Sequence, residues 1–84
     1  MTEVQLQSIK HEAQELLNAE CKNRDFKLRV SGEVQEDDWV YLVVEPDRPG
    51  VHSEDYVSIA RAVEKQLEHK HSGNILIVPA RPQD

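Results

Sequence analysis

The chain has 84 residues, 38% of them hydrophobic, and its 16 acidic and 10 basic residues give a formal net charge of −6. A chain of this length forms one domain and leaves little room for a deep catalytic cleft. The negative charge disfavours a general attraction to phosphate backbones and to anionic lipid surfaces.

The sequence also bears on the cellular location of the protein. Its single cysteine, Cys21, has no partner for an internal disulfide. It contains no apolar run of about 18 residues that could span a membrane, and its N-terminal segment lacks the apolar core of a signal peptide. We therefore expect a cytoplasmic protein that does not associate with membranes.

The first predicted element is a helix from Thr2 to about Lys22. Its apolar residues recur with a period of about 3.6 residues and form one stripe, while the charged residues between them face water. Thr2 is a candidate N-cap, and Asn23 is a candidate end. The stripe consists of Leu6, Ile9, Ala13, Leu16 and Leu17.

Two strands are predicted next. Apolar and polar residues alternate from Phe26 to Val30, which is typical of a strand with one buried face, and Gly32 marks a candidate bulge. The segment from Trp39 to Glu45 is rich in β-branched and aromatic residues on both faces. The acidic run 36–38 between the two segments favours a turn, so we predict an antiparallel hairpin whose second strand is central or covered on both sides.

A tight turn and a second helix follow the hairpin. Pro49 and Gly50 at the two middle positions favour a type II turn, because Gly accepts a positive φ. Ser53 is a candidate N-cap, and acidic residues follow it where the helix dipole favours them. Gly73 is predicted to end this helix. Its apolar stripe consists of Tyr56, Ile59, Ala60, Val63 and Leu67.

A third strand, Asn74 to Val78, and a short tail, residues 79–84, complete the order αββαβ. Two helices that each carry one apolar stripe must bury those stripes on the same small sheet. We therefore predict a single α+β domain over residues 1–84. Its architecture is a two-layer αββαβ sandwich, with both helices on one face of a three-stranded sheet and the other face open.

The open face carries the candidate binding site. If Val40, Leu42 and Val44 point to the helices, then Trp39, Tyr41 and Val43 lie on the open face. Lys27 and Arg29 would lie near them. The opposite orientation of the strand is possible, but it would place the bulky aromatic side chains in a thin core, where they fit less well. Trp, Tyr and Arg are enriched in protein-binding hot spots, whereas aromatic and basic groups on open sheets also bind single-stranded RNA. The acidic composition favours protein contact over RNA binding. It is equally plausible that these residues only cover the sheet surface and bind nothing. The candidate residues are Lys27, Arg29, Trp39, Tyr41 and Val43.

Metal and thiol chemistry are less well supported. His69 and His71 would point roughly 200° apart on a helix, so we interpret them as cations that stabilise the helix C-terminus. Cys21 and His11 would lie about 15 Å apart along one helix, so we interpret Cys21 as a semi-exposed structural residue. The acidic turns lack the spacing of a calcium loop. The sequence therefore predicts no catalytic residue, no metal ligand and no cofactor.

One segment, VYLVVEPDRPGVHSEDYVSIARAVEKQLE, resembles the N-terminal domain of the bacterial ribosome maturation factor family, RimP. An apolar strand, a turn with Gly, a Ser/Thr-type cap, an acidic pair and a helix with a Ser/Ala-Arg step follow in the same order. The ending ILIVPARP also resembles the strand that closes that domain. The matching positions are Tyr41 to Val44, Gly50-Val51, Ser53, Glu54-Asp55 and Ala60-Arg61.

This resemblance implies a binding role without catalysis in the assembly of the small ribosomal subunit. That family carries an SH3-like barrel after this domain, whereas the present sequence stops at Asp84, so the resemblance leaves open whether the ribosomal role is retained. The αββαβ order is also similar to that of BolA-like and type II KH-like domains, but of the BolA-type His and Arg only His52 is present.

From the residues and the resemblance together, we expect a cytoplasmic domain that contacts a protein partner, itself or a ribosomal component through the open sheet face. The alternative is a module that binds single-stranded RNA through the same face.

Overall fold

A computed structural model describes residues 3–71 and 74–80 of the chain. The predicted order αββαβ is confirmed, whereas the proposed cap Thr2, the helix end at Gly73 and residues 81–84 of the tail lie outside the described residues. The elements are α1 (Glu3–Glu20), β1 (Leu28–Glu36), β2 (Trp39–Pro46), α2 (Ser53–His71) and β3 (Asn74–Pro79).

The three strands form one mixed sheet in the order β1-β2-β3. The central strand β2 runs antiparallel to β1 and parallel to β3. Tyr41 therefore lies between Val34 on one side and Leu76 on the other. The β1–β2 register shifts between Val30 and Gly32, which places the predicted bulge beside the glycine.

Both helices pack on the same face of the sheet, as predicted. Val40, Leu42 and Val44 of β2 are at most 2% exposed and lie beneath the helices. The helical stripes complete this core, except that Leu16 is only partly buried. The buried apolar residues of the helices are Leu6, Ile9, Ala13 and Leu17 of α1, and Tyr56, Ile59, Ala60, Val63 and Leu67 of α2.

Phe26 is buried as predicted but is not part of a strand. It lies in the bend between α1 and β1, where its ring packs against Tyr56 with the ring centroids 6.4 Å apart. The backbone amide of Lys27 donates to the Asp47 carboxylate rather than to a backbone carbonyl, at 3.0 Å. A side-chain oxygen thus replaces one of the two backbone hydrogen bonds expected between Lys27 and Asp47, and β1 begins only at Leu28.

Two turns use positive φ angles. Gly50 has a φ of 88°, which confirms the predicted role of this glycine in the turn before α2. Asp37, in the two-residue turn between β1 and β2, has a φ of 52°. A positive φ causes steric strain in residues that carry a Cβ atom, and Asp tolerates it better than most.

Asp37→Gly is expected to stabilise the fold by roughly 0.5 to 1 kcal/mol, because Gly adopts a positive φ without a Cβ clash. The free energy of unfolding in urea measures the effect. Asp38→Gly is the matched control: its φ is not positive, so the same change should destabilise the fold by roughly 0.5 to 1 kcal/mol. Equal effects of the two variants would contradict this account of the turn.

The outer edge of β1 is covered by a side chain of α1. The Gln14 side-chain oxygen accepts a hydrogen bond from the Val30 amide at 2.9 Å, and its nitrogen donates to the Leu28 carbonyl at 3.0 Å. This amide therefore takes the place of a neighbouring strand and protects the edge from pairing with another chain.

Gln14→Ala is expected to destabilise the fold by about 1 to 3 kcal/mol, because it leaves the part-buried Val30 amide and Leu28 carbonyl without these bonds. Urea unfolding measures the loss. Gln7→Ala, at an exposed position of the same helix, is the control and should change stability by less than about 0.5 kcal/mol. A similar loss in both variants would show that helix propensity, not the edge contact, is responsible.

Candidate binding surface

The sheet face opposite the helices carries the aromatic residues that the sequence singled out. Because successive side chains of a strand alternate between faces, the burial of Val40 and Leu42 places Trp39, Tyr41 and Val43 on the other side. Trp39 is 42% exposed, and the other two are partly exposed. This placement agrees with the expected phase of β2.

The neighbouring strands add three apolar residues that sequence analysis missed. Val34 of β1 and Leu76 of β3 flank Tyr41, and Val78 lies beside Val43. Val34 is 50% exposed, and the two β3 residues are partly exposed. The sequence of β3 is apolar from Ile75 to Val78 and gives no alternation of its own, so only its pairing with β2 shows which two residues lie on the open face. We call the six residues Val34, Trp39, Tyr41, Val43, Leu76 and Val78 the apolar patch.

Trp39 and Tyr41 stack on each other at one end of the apolar patch. Their ring centroids are 6.3 Å apart, and the ring planes differ by 18°. A stacked aromatic pair of this kind contributes about 0.5 to 1.5 kcal/mol beyond its buried area. The contact holds both rings in a defined orientation while part of the indole stays accessible to a partner.

The basic residues of the predicted site do not join the aromatic pair. Arg29 lies opposite Glu45 in the β1–β2 register, and its Nε atom donates to the Glu45 carboxylate at 2.7 Å. Trp39 is six residues from Glu45 along β2, a separation of roughly 20 Å. The expectation that the aromatic and basic side chains lie close together is therefore wrong for Trp39, because the register separates them.

Lys27 lies still farther from the aromatic pair, before β1 begins. Its backbone carbonyl accepts a hydrogen bond from the Asp47 amide at 2.9 Å. The pKa of the Asp47 carboxyl is held below its ordinary value, first by a hydrogen bond from Arg48 and then by the Lys27 backbone amide. At this end of the sheet, far from Trp39, the acidic residues Glu45 and Asp47 are therefore each paired with an arginine.

The hairpin end of the apolar patch is acidic. Glu36 lies opposite Trp39 in the register, and the exposed residues Asp37 and Asp38 form the adjacent turn. None of these carboxylates forms an ion pair with a cation within the described residues, so this end keeps its negative charge.

Cys21 is buried in the core and was wrongly expected to be semi-exposed. It follows the last turn of α1, where its amide bonds to the Leu17 carbonyl at 3.0 Å and directs the side chain beneath the sheet. Burial raises the pKa of its thiol, which favours the protonated and unreactive form. His11 is exposed and instead contacts Glu15 at 3.1 Å.

The other histidines do not gather into a metal site either. Over residues 3–71 and 74–80, no group of three or more His, Cys, Asp or Glu side chains is arranged to hold a metal ion. His71 instead bonds to Glu12 of α1 at 2.9 Å, and Lys70 lies 3.6 Å from the same carboxylate. The hydrogen bond from His71, followed by the charges of His71 and Lys70, holds the pKa of Glu12 below its ordinary value.

His71→Ala is expected to raise the pKa of Glu12 toward its ordinary value. Because the pKa is lowered in the folded state, the ionised carboxylate stabilises the fold above its unfolded pKa, and this contribution is lost as pH falls through the folded pKa. The variant should therefore lose less stability on acidification between about pH 5 and pH 3. A carbon-13 NMR titration of the Glu12 carboxyl measures the shift.

His69→Ala is the control for this titration, since His69 is exposed at the same helix end and the ion pairs of Glu12 are formed by Lys70 and His71 instead. It should leave the Glu12 titration unchanged. Identical titration curves for the wild type and His71→Ala would contradict the assigned contact.

Comparison with protein-family models, with curated proteins and with solved structures finds no match to this chain. The resemblance to the ribosome maturation factor domain therefore stays a prediction. In the described part of the chain, neither helix has the length and apolar character needed to cross a membrane.

Proposed function

We propose that this chain is a small binding domain without catalytic activity, which contacts a protein partner through the apolar patch. The observation that carries the proposal is the stacked pair Trp39–Tyr41 on a sheet face that neither helix covers. Trp and Tyr are the residue types that contribute most often to protein-binding hot spots.

The size of the apolar patch supports contact with a macromolecule. It crosses three strands and extends from Trp39 to Val43 along β2, and its six positions correspond to roughly 200 Å² of sheet surface. Exposed apolar patches of a few hundred Å² on monomeric proteins are often functional. Burial of the exposed parts of these side chains would release several kcal/mol of transfer free energy, at about 25 cal/mol per Å², and part of it offsets the entropic cost of association.

The charges around the apolar patch indicate the chemistry of the partner. The acidic residues Glu36, Asp37 and Asp38 lie at the Trp39 end, so a partner with an apolar centre and basic residues at one side would be complementary. A basic protein of the ribosome would be one such partner, in the setting that the sequence resemblance implies.

The same geometry weighs against the alternative of single-stranded RNA binding. Arg29 pairs with Glu45, and the aromatic rings stack on each other rather than standing apart to receive bases. The carboxylates beside Trp39 would also repel a phosphate backbone. We therefore do not advance the RNA alternative.

Trp39→Lys is expected to weaken binding of the partner at least tenfold, because it removes the hot-spot indole from the apolar patch. Wild-type and variant proteins, each immobilised, are incubated with native lysate and with purified small ribosomal subunits, and the retained proteins are quantified by mass spectrometry. Nuclease treatment in a parallel sample should leave the retained proteins unchanged.

Val4→Lys provides the control, since Val4 is 79% exposed on α1, away from the open sheet face. This variant should retain the same proteins as the wild type. Retention of the same proteins by Trp39→Lys would remove the apolar patch as the contact surface, and loss of retention on nuclease treatment would favour RNA as the ligand.

A further inference from the structure

The two edges of the sheet differ in how they are protected. The β1 edge is bridged by Gln14, carries a bulge, and is flanked by an ion pair between Lys10 of α1 and Glu33 at 3.0 Å. In β3, the sequence NILIVP contains no charged residue and its pairing with β2 shows no bulge. No described residue forms a hydrogen bond with the outer edge of β3. Natural sheets rarely leave an apolar edge of this kind without a cover.

The orientation of the β3 backbone identifies the groups that face outward. The Ala80 amide donates to the Val44 carbonyl of β2 at 2.8 Å. Since alternate residues of a strand direct their N–H and C=O groups to the same side, Leu76 and Val78 also bond toward β2. Ile75 and Ile77 therefore direct their N–H and C=O groups away from the sheet.

These outward groups are complementary to a second copy of themselves. In an antiparallel arrangement with Leu76 opposite Leu76 of the other copy, Ile75 of one strand lies opposite Ile77 of the other. Each opposed pair exchanges two hydrogen bonds, so the contact forms four in total. Pro79 has no N–H to donate and ends the pairing on each side.

We propose that a second copy of this chain pairs with the outer edge of β3 about a two-fold axis at Leu76. The two three-stranded sheets then form one six-stranded sheet. Every N–H group that faces outward from Ile75 and Ile77 obtains a partner, and the interface is isologous, as in most homodimers.

The helix beside this edge extends the contact. A groove between α2 and β3 is lined in part by Val57, Ala60, Arg61 and Ile77, and Val57 is 46% exposed. The two-fold axis brings the same groove of the second copy to the opposite side. Apolar side chains would thus meet in both layers, with Leu76 in the sheet layer and Val57 in the helix layer.

The size of this contact determines its strength. A six-residue strand is about 20 Å long, and the shortest extent of the molecule is 18 Å. The contact therefore buries roughly 350 Å² per copy, which is below the standard size for a stable complex and typical of a weak, concentration-dependent dimer. Since each copy has a formal net charge of −6, added salt should strengthen the association by screening the repulsion.

This inference goes beyond the proposed function and does not depend on it. Edge pairing leaves Trp39 and Tyr41 uncovered, and it places two apolar patches side by side on one continuous sheet face. A dimer would thus present two copies of the proposed binding surface to a partner.

Amide hydrogen exchange followed by NMR tests the edge directly. At about 20 µM and at about 1 mM protein, a range chosen for a weak contact, the amides of Leu76 and Val78 should be protected alike. The amides of Ile75 and Ile77 should be exposed at the lower concentration and at least threefold more protected at the higher one. If these two amides exchange equally fast at both concentrations and the chain sediments as a monomer, the proposal is overturned.

Charge variants at Leu76 test the two-fold axis. Leu76→Lys and Leu76→Glu should each sediment as monomers at about 1 mM, because like charges then lie directly opposite each other. An equimolar mixture should recover the dimer at low ionic strength, since opposite charges then face across the axis. Circular dichroism establishes that each variant is folded, and failure of the mixture to associate would overturn the proposed axis.

Val34→Lys is the matched control, because it adds the same charge to the open face but on β1, the strand farthest from the β3 edge. This variant should dimerise as the wild type does. If Val34→Lys also abolishes the dimer, the copies associate through the open face and the edge-pairing proposal is wrong, while the function proposed for that face is unaffected.

Discussion

The structure depends on one packing constraint: both helices bury their apolar stripes against Val40, Leu42 and Val44 of the central strand. A sheet of three strands offers just enough width for two helices side by side, and this chain places both on the same face. The opposite face consequently has no cover within the described residues. The exposure of Trp39 and its stack on Tyr41 follow from this arrangement.

The same small size leaves the edges of the sheet to be protected individually. At β1, a single glutamine side chain substitutes for a strand, since the Gln14 amide has both the donor and the acceptor that the backbone requires. At β3, the outward positions are occupied by the backbone of Ile75 and Ile77, with side chains that belong to the core. The open face and the β3 edge are therefore two separate uncovered features of the described residues, formed by side chains at the face and by backbone groups at the edge.

Charged residues lie at both ends of the apolar patch and determine its electrostatic character. The pairing of Arg29 with Glu45, directly across the β1–β2 register, compensates the guanidinium that would otherwise attract anions. The carboxylates at the hairpin remain near Trp39 because the turn is formed by acidic residues, including one at a positive φ. The apolar patch therefore has a negative end and a neutralised end, a polarity that favours a basic protein surface over a nucleic acid.

Local sequence patterns determined the element order, the helical stripes and the positive φ of Gly50, because each is set by a periodicity or a steric preference within a few residues. For Trp39, Tyr41 and Val43 the sequence only favoured the open face, and the burial of the alternate residues in the structure decided it. The antiparallel pairing of β1 and β2 was also predicted, because only a short acidic turn separates the two strands. Only the tertiary structure decided that β3 pairs with β2, in parallel, and which residues lie opposite each other. The register brought Val34, Leu76 and Val78 to the aromatic residues and moved Arg29 away from Trp39. It also aligned Gln14 with the β1 edge and placed Cys21 in the core. These features depend on contacts between segments that are distant in the chain, and the spacing of residues within one segment carries no information about them.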